Sequence, residues 1–406
     1  MAIVRPFRAH RPPVTEVARV ASPPYDVIST AEARALAEGN PASFLHVSRP
    51  EIDLPVGTDD HADAVYEKGA ENLAALVAAG ALAQDAEPHL YLYAQTMGAH
   101  RQVGVVGCAS VAEYVSDGIK KHEKTRADKE DDRTRHIDAL GAHDEPVFLT
   151  YRATPAIDAL VAEATKARPV YDFTTADGVG HTLWVLGRAA SDALESLFAD
   201  VAALYVADGH HRSAAAARVH ADRKGDGGEH DVFLAVVFPH DQMQILSYNR
   251  VVRDRDGRGE AALLARLRDA LDLDPVAREA AAPTEPRTFG VYLGGQWYRA
   301  RVRPGSFDAK DPVASLDCSI CQDQILGPIF GVADPRRDKH VDFVGGIRGA
   351  AELERRVSSG EFTLAVHLFP TQIGELFSVS DAGLLMPPKS TWFEPKLRSG
   401  LFVHTF

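Results

Sequence analysis

The chain has 406 residues, 45% of them hydrophobic and 25% charged, with a formal net charge of −13. That length predicts two or three domains with a sizeable core and excludes wholesale disorder. The acidic balance removes the electrostatic footprint of a nucleic-acid binder. Cys108, Cys318 and Cys321 are too few for a disulfide framework and fit a cytoplasmic protein. The start, MAIVRPFRAHRPPV, lacks the apolar stretch of a signal peptide. No apolar run approaches about 18 residues, so no membrane association is expected.

Residues 1–30 read as strand, turn, strand, with Tyr25 and Asp26 just beyond Pro23 and Pro24. Thr30 is the expected N-cap of the helix AEARALAEG, closed by Gly39. Val65, Leu73, Leu76 and Val77 predict an amphipathic helix over 63–79. LYLYAQTM and RQVGVVGCASV then predict a hairpin, followed by the charged run KKHEKTRADKEDDRTRH at 120–136. PVFLTYR and HTLWVLG are further strands, with a helix from Pro155 to Ala167 between them. ALYVADGHHRSAAAARVHADR, 203–223, predicts strand, tight turn and helix, and the glycine-rich loop GDGGEHD follows. DVFLAVVFP and MQILSYNRVV are expected to be adjacent strands. A boundary near 255 separates 1–255 from 256–406, where EAALLARLRDAL is helical, FGVYLGGQWYRARV a hairpin and SICQDQILGPIF a helix. Alternating strands and helices with β-ribbons predict an α/β, mixed α+β, fold.

The sharpest chemical signal is Asp208-Gly209-His210-His211-Arg212, between an apolar strand and an alanine-rich helix. Unpaired amides and the dipole favour an anion at a helix N-terminus. Gly209 permits a tight turn, Arg212 can fork onto phosphate, and the imidazoles add donors or metal ligands. Asp208 suits Mg²⁺ or a proton, and the alternative is that it simply caps the helix. In the 120–136 run, Glu123 could serve as a general base, and His122, Thr125, Arg126 and Arg133 as substrate contacts. The competing reading is a solvated, salt-bridged helix. Lys389-Ser390-Thr391, with Lys396 and Arg398, is a second anion candidate beside Trp392 and Phe393, which could equally pack. Gly345-Gly346-Ile347-Arg348 reads as a turn, and Cys318-x-x-Cys321 lacks the second pair of a zinc site. There is no P-loop, dinucleotide fingerprint or nucleophile elbow.

These segments resemble a known family. ASPPYDVIS (21–29), KKHEKTRADKEDDRTRH, ALYVADGHHRSAAAARV (203–219), DFVGGIRG (342–349) and MPPKSTWFEPKLRSGLF (386–402) are similar to DUF1015 proteins of bacteria along the whole chain. More distantly, the strand–DGHHR–helix unit resembles the phosphate-binding core of the ParB/sulfiredoxin superfamily. The reactive cysteine of sulfiredoxin is missing, which speaks against sulfinic-acid reduction. Archaeal free serine kinases of that superfamily carry a similar DGHHR turn. The resemblance implies a ParB/sulfiredoxin-like core with insertions in 1–255, the phosphate-binding catalytic region. A C-terminal α+β region at 256–406 would then be a lid or a dimerisation domain.

The reading that follows is a phosphotransferase for a small hydroxylated metabolite, free L-serine first. ATP, ADP or pyrophosphate would be the donor, with Mg²⁺ as cofactor. Gly209, His210, His211, Arg212, Lys389, Ser390 and Thr391 would hold phosphates, and Asp208 with Asp26 the Mg²⁺. Glu123, Asp208, His210 and His211 are the catalytic candidates. Tyr25, Asp26, His122, Thr125, Arg126 and Arg133 would contact substrate, Arg126, Arg133 or Lys389 taking its carboxylate. Two alternatives stand beside it: a phosphoserine phosphatase using the same site, and a nucleotide- or metabolite-binding regulator without turnover. Expected partners are serine or phosphoserine, a nucleotide and a second copy of the chain, with neither membrane nor nucleic acid among them.

Overall fold

The computed structural model describes residues 2–223 and 228–406, so 225–227 of the expected glycine-rich loop lie outside the described residues. The fold is mixed α/β. Contacts divide the chain into two compact units. One comprises Met1–Lys121, Thr125–Met243 and Pro395–Phe406, the other His122–Lys124 and Gln244–Glu394. The division differs from a single cut at 255 because Tyr248–Val252 is an inner strand of the second unit's sheet, while residues 395–406 return to the first unit.

The first unit is built on a sheet of nine strands among the described residues. Across it run Ile119–Lys120, Leu204–Asp208, Val147–Tyr151, Val232–Pro239, His100–Ser110, Tyr91–Met97, Gly180–Val185 and Tyr171–Thr174, with Val4–Arg5 also paired to His100–Ser110. Tyr91–Met97 and His100–Ser110 form the expected hairpin, turned at Gly98. Leu204–Asp208 runs antiparallel to Val147–Tyr151, and Val232–Pro239 parallel to it. Val105, Leu149, Val206, Phe233 and Val237 form the core beneath, closed by Leu194 and Phe198 of the helix Arg188–Ala199. Burying each such side chain contributes about 1.5–3 kcal/mol.

The second unit has a six-stranded antiparallel sheet. Its order is Leu271–Val276, Gln296–Val302, Thr288–Leu293, Leu364–Leu368, Tyr248–Val252 and Val341–Gly345. Gly294 and Gly295 turn its hairpin with positive φ, as their sequence position predicts.

Three expectations are corrected. The segment VARVASPPYDVIS, 17–29, is not a strand. Val17–Val20 is a helical turn, its Val17 N–H bonded to Pro13 O at 3.1 Å, and Tyr25–Val27 is a 3₁₀ turn. Local bonds satisfy the backbone that a neighbouring strand was expected to satisfy. Ser29, not Thr30, caps the helix Thr30–Ala37. Its hydroxyl accepts the Glu32 N–H at 3.3 Å, while Glu32 accepts the Ser29 N–H at 2.7 Å in a capping box. Val232–Pro239 and Tyr248–Val252 belong to different sheets, because Gln244–Leu246 leaves the first unit to pair with Trp392–Glu394.

Candidate active site

The 208–212 turn has the predicted geometry. Strand Leu204–Asp208 ends in Gly209, at φ 95°, and helix His210–Asp222 begins at once. That φ favours glycine, and a Cβ there would lie 3.1 Å from the Arg212 guanidinium carbon. No side chain caps the helix among the described residues. Asp208 faces two cations instead, with its Oδ2 3.2 Å from Lys396 Nζ and 3.7 Å from Arg212 Nη2. Burial opposes the Asp208 charge, but Lys396 and Arg212 outweigh it and hold the carboxyl well below the usual carboxylate range. Asp208, the expected Mg²⁺ ligand, thus has its Oδ2 facing an ammonium and a guanidinium.

Arg212 is buried beneath the turn, and its Nη1 donates to Pro146 O. Burial works against its charge, and Asp26, Asp208 and Glu145 restore it. His210 is buried and His211 half-buried. His211 Nε2 accepts the Arg126 N–H at 3.1 Å, so its remaining donor is Nδ1, a tautomer inferred from that bond.

A group missed by the sequence reading lies beside Arg212. Glu145 is 5% exposed. Its Oε1 accepts the Tyr25 N–H at 3.0 Å and the Ser399 hydroxyl at 2.6 Å, while its buried Oε2 makes no hydrogen bond. Burial, then the neighbouring Asp144 carboxylate, pushes its carboxyl up to about 7, against the pull of Arg212. Glu145, Asp144, His136, Arg133 and Arg212 line an enclosed cavity of about 10 Å³, room for about one water. Arg133 and His136 also line a pocket of about 100 Å³ with Tyr25, Arg49, Glu51 and Asp132. There Arg133 stacks over the Tyr25 ring at 4.1 Å and donates to Asp132 Oδ2 at 2.9 Å. Arg49 donates to Tyr25 O at 2.9 Å and to Glu51 Oε1 at 2.6 Å.

The charged run is not one piece. His122–Lys124 belongs to the second unit, and Thr125 onward to the first. Ala127–Leu140 is a helix that buries Asp132, Arg133 and His136, so it is more than a solvated face. Thr125 hydrogen-bonds Glu130, and the exposed Arg126 pairs with Asp128 at 2.7 Å. Tyr25 is buried and Asp26 exposed. In the second unit, His122 Nε2 lies 3.3 Å from Thr391 Oγ1, and the His122 carbonyl accepts the Met386 N–H. Buried Ser390 donates to Pro387 O at 2.7 Å beside Cys318 Sγ, and Lys389 Nζ lies 5.8 Å from the Tyr248 ring centre. Gly346 is a close-packing glycine, since a Cβ there would stand 2.6 Å from Ser247 O. The structure thus gathers Tyr25, Arg133, Asp208, Gly209, His210 and Arg212 in the first unit, and Glu123, Lys389, Ser390 and Thr391 fall in the second.

The family described as "Protein of unknown function (DUF1015)" matches residues 4–319. The chain belongs to the DUF1015 family. No curated protein sequence matches it. Solved structures similar to this DUF1015 chain include a conserved hypothetical protein from Pyrococcus furiosus, at 13% identity and TM-score 0.37. That match covers 74% of this chain and 95% of the other. A free serine kinase variant in complex with ADP matches at 11% identity and TM-score 0.35, covering 71% and 87%. SbnI with C-terminal truncation from Staphylococcus aureus matches at 12% identity and TM-score 0.39, covering 74% and 87%. These scores assign no role to any DUF1015 residue here. In this DUF1015 chain no described helix is long and apolar enough to cross a membrane.

Proposed function

We propose that this protein is a phosphotransferase acting on a small hydroxylated metabolite, free L-serine, with ATP, ADP or pyrophosphate as donor. The 208–212 turn carries the reading. A left-handed glycine opens a 13-residue helix without a side-chain cap, and Asp208 draws Lys396 and Arg212 to the same point. Helix amides beside two cations favour a phosphate oxyanion. Phosphoryl transfer needs mainly positioning and charge neutralisation, which this inventory supplies. The neighbouring pocket suits a zwitterion, with Arg133 and Lys129 for its carboxylate and Asp132 and Glu51 for its ammonium.

In the step, the acceptor oxygen bonds to the terminal phosphorus and the bridging P–O bond breaks. The leaving phosphate takes the electron pair, and the hydroxyl proton passes to a carboxylate.

The test incubates purified protein and serine with each donor, and in parallel offers phosphoserine alone to detect hydrolysis. Phosphoserine formation is expected, falling about 100-fold or more in Lys396→Met. Phosphoserine breakdown without transfer would favour the phosphatase. Neither activity in any combination overturns the reading.

A further inference from the structure

At the far end of the same helix stands a cluster that the proposed chemistry leaves unused. His220 occupies the last turn of His210–Asp222, and His230 and Asp231 sit in the 3₁₀ turn Glu229–Asp231. Asp231 Oδ1 lies 3.0 Å from His220 Nδ1 and 3.8 Å from His230 Nε2. One ligand atom from each residue falls within 4.8 Å of the other two. We propose that His220, His230 and Asp231 bind a divalent transition metal of the Zn²⁺ class, with a fourth position left to water.

Bonds of about 2.0–2.1 Å in a tetrahedron set ligand atoms roughly 3.3 Å apart, and the two separations bracket that figure. Two imidazoles and one carboxylate match a borderline ion rather than Mg²⁺ or Ca²⁺. An ordinary His–Asp pair explains the contact poorly. The buried His220 Nδ1 makes no hydrogen bond despite its closeness to Asp231, so its approach lacks donor geometry. His230 is 7% exposed, which holds its ring in place. Asp231 has no Arg or Lys partner among the described residues, and its only ion-pair neighbours are the two imidazoles. The adjacent Glu229 is engaged by Arg5 at 2.6 Å and His404 at 3.0 Å, so it does not compete for the ion. The site also lies where the helix dipole is negative, which favours a cation. A bound ion would tie the helix end to the 229–231 turn. Metal and protons compete for the same imidazole nitrogens, so binding is weaker in acid.

The experiment titrates Zn²⁺ into chelator-treated full-length protein by calorimetry. Co²⁺ is titrated in parallel, and its visible absorption reports coordination geometry. One ion per chain is expected, with a tetrahedral Co²⁺ spectrum and a raised melting temperature. His230→Gln and Asp231→Asn should each weaken binding at least about 100-fold, while His143→Gln leaves it unchanged. The metal-free melting temperatures of these variants show whether each is folded. Binding that survives in folded His230→Gln or Asp231→Asn protein, an octahedral Co²⁺ spectrum, or no saturable one-to-one binding overturns the proposal. None of these readouts depends on phosphate transfer.

Discussion

Replacing Glu145 by Gln keeps the shape of the side chain and removes its titration. Gln can still accept the Tyr25 N–H and the Ser399 hydroxyl through Oε1, and its amide fills the place of the unbonded Oε2. In the wild type the folded carboxyl is raised from 4.5 to about 7 by burial and by Asp144. Between those two values the folded chain holds a proton that the unfolded chain has released. This contribution to stability is therefore fully present below pH 4.5 and lost as pH rises through about 7. Each pH unit in the window costs about 1.4 kcal/mol, and the window totals roughly 3 kcal/mol. The Gln variant escapes that loss. Relative to wild type it should gain roughly 3 kcal/mol between pH 4.5 and pH 8. Urea unfolding at several pH values measures the difference, and hydrogen exchange on Val147–Tyr151 localises it to the first unit. Parallel pH curves for the two proteins would refute the assignment of a buried, proton-holding Glu145.

Lys396→Met should cost about 1–2 kcal/mol at neutral pH, since Asp208 loses a charged hydrogen bond in a partly exposed place. The folded Asp208 carboxyl is depressed, so this contribution exists above its unfolded value of 3.8 and is lost as pH falls below it. Acid unfolding of the two proteins should therefore converge at low pH, and a constant gap would count against the pair. Gly209→Ala should cost about 1–2 kcal/mol from the left-handed backbone alone, read from urea unfolding. An unchanged midpoint would contradict the φ assigned to Gly209.

Local patterns were readable in the sequence wherever a few neighbouring residues decide the outcome. The hairpin at Gly294-Gly295 and the Asp208-Gly209-His210 turn are of this kind, because glycine placement and hydrophobic period fix them without distant help. Glu145 was invisible for the opposite reason. Its partners Tyr25 and Ser399 stand 120 and 254 positions away, and HDEPVF contains no motif that announces them. The only available signal was a pair of acids immediately before a proline and an apolar strand. Lys396 was noticed as a basic residue, but its pairing with Asp208 spans 188 positions. The 120–136 run left two readings open because its composition is also that of a solvated helix, while Tyr25 and Tyr66 give Arg133 and Asp132 buried partners from elsewhere in the chain. The 17–29 segment misled because apolar residues flanked by prolines suit a strand or a short turn equally.

Residues 395–406 have a consequence for how the molecule comes into being. They deliver Lys396 to Asp208, Ser399 to Glu145, and His404 to a small ladder with His143. During synthesis, more than 390 residues must leave the ribosome before those three contacts can form. Until then the nascent first unit holds Asp208 without its ammonium and Glu145 without its hydroxyl. Its maturation is thus timed by a stretch translated long after 208–212, and a proteolytic cut just before residue 395 would reach that turn from a distant part of the chain.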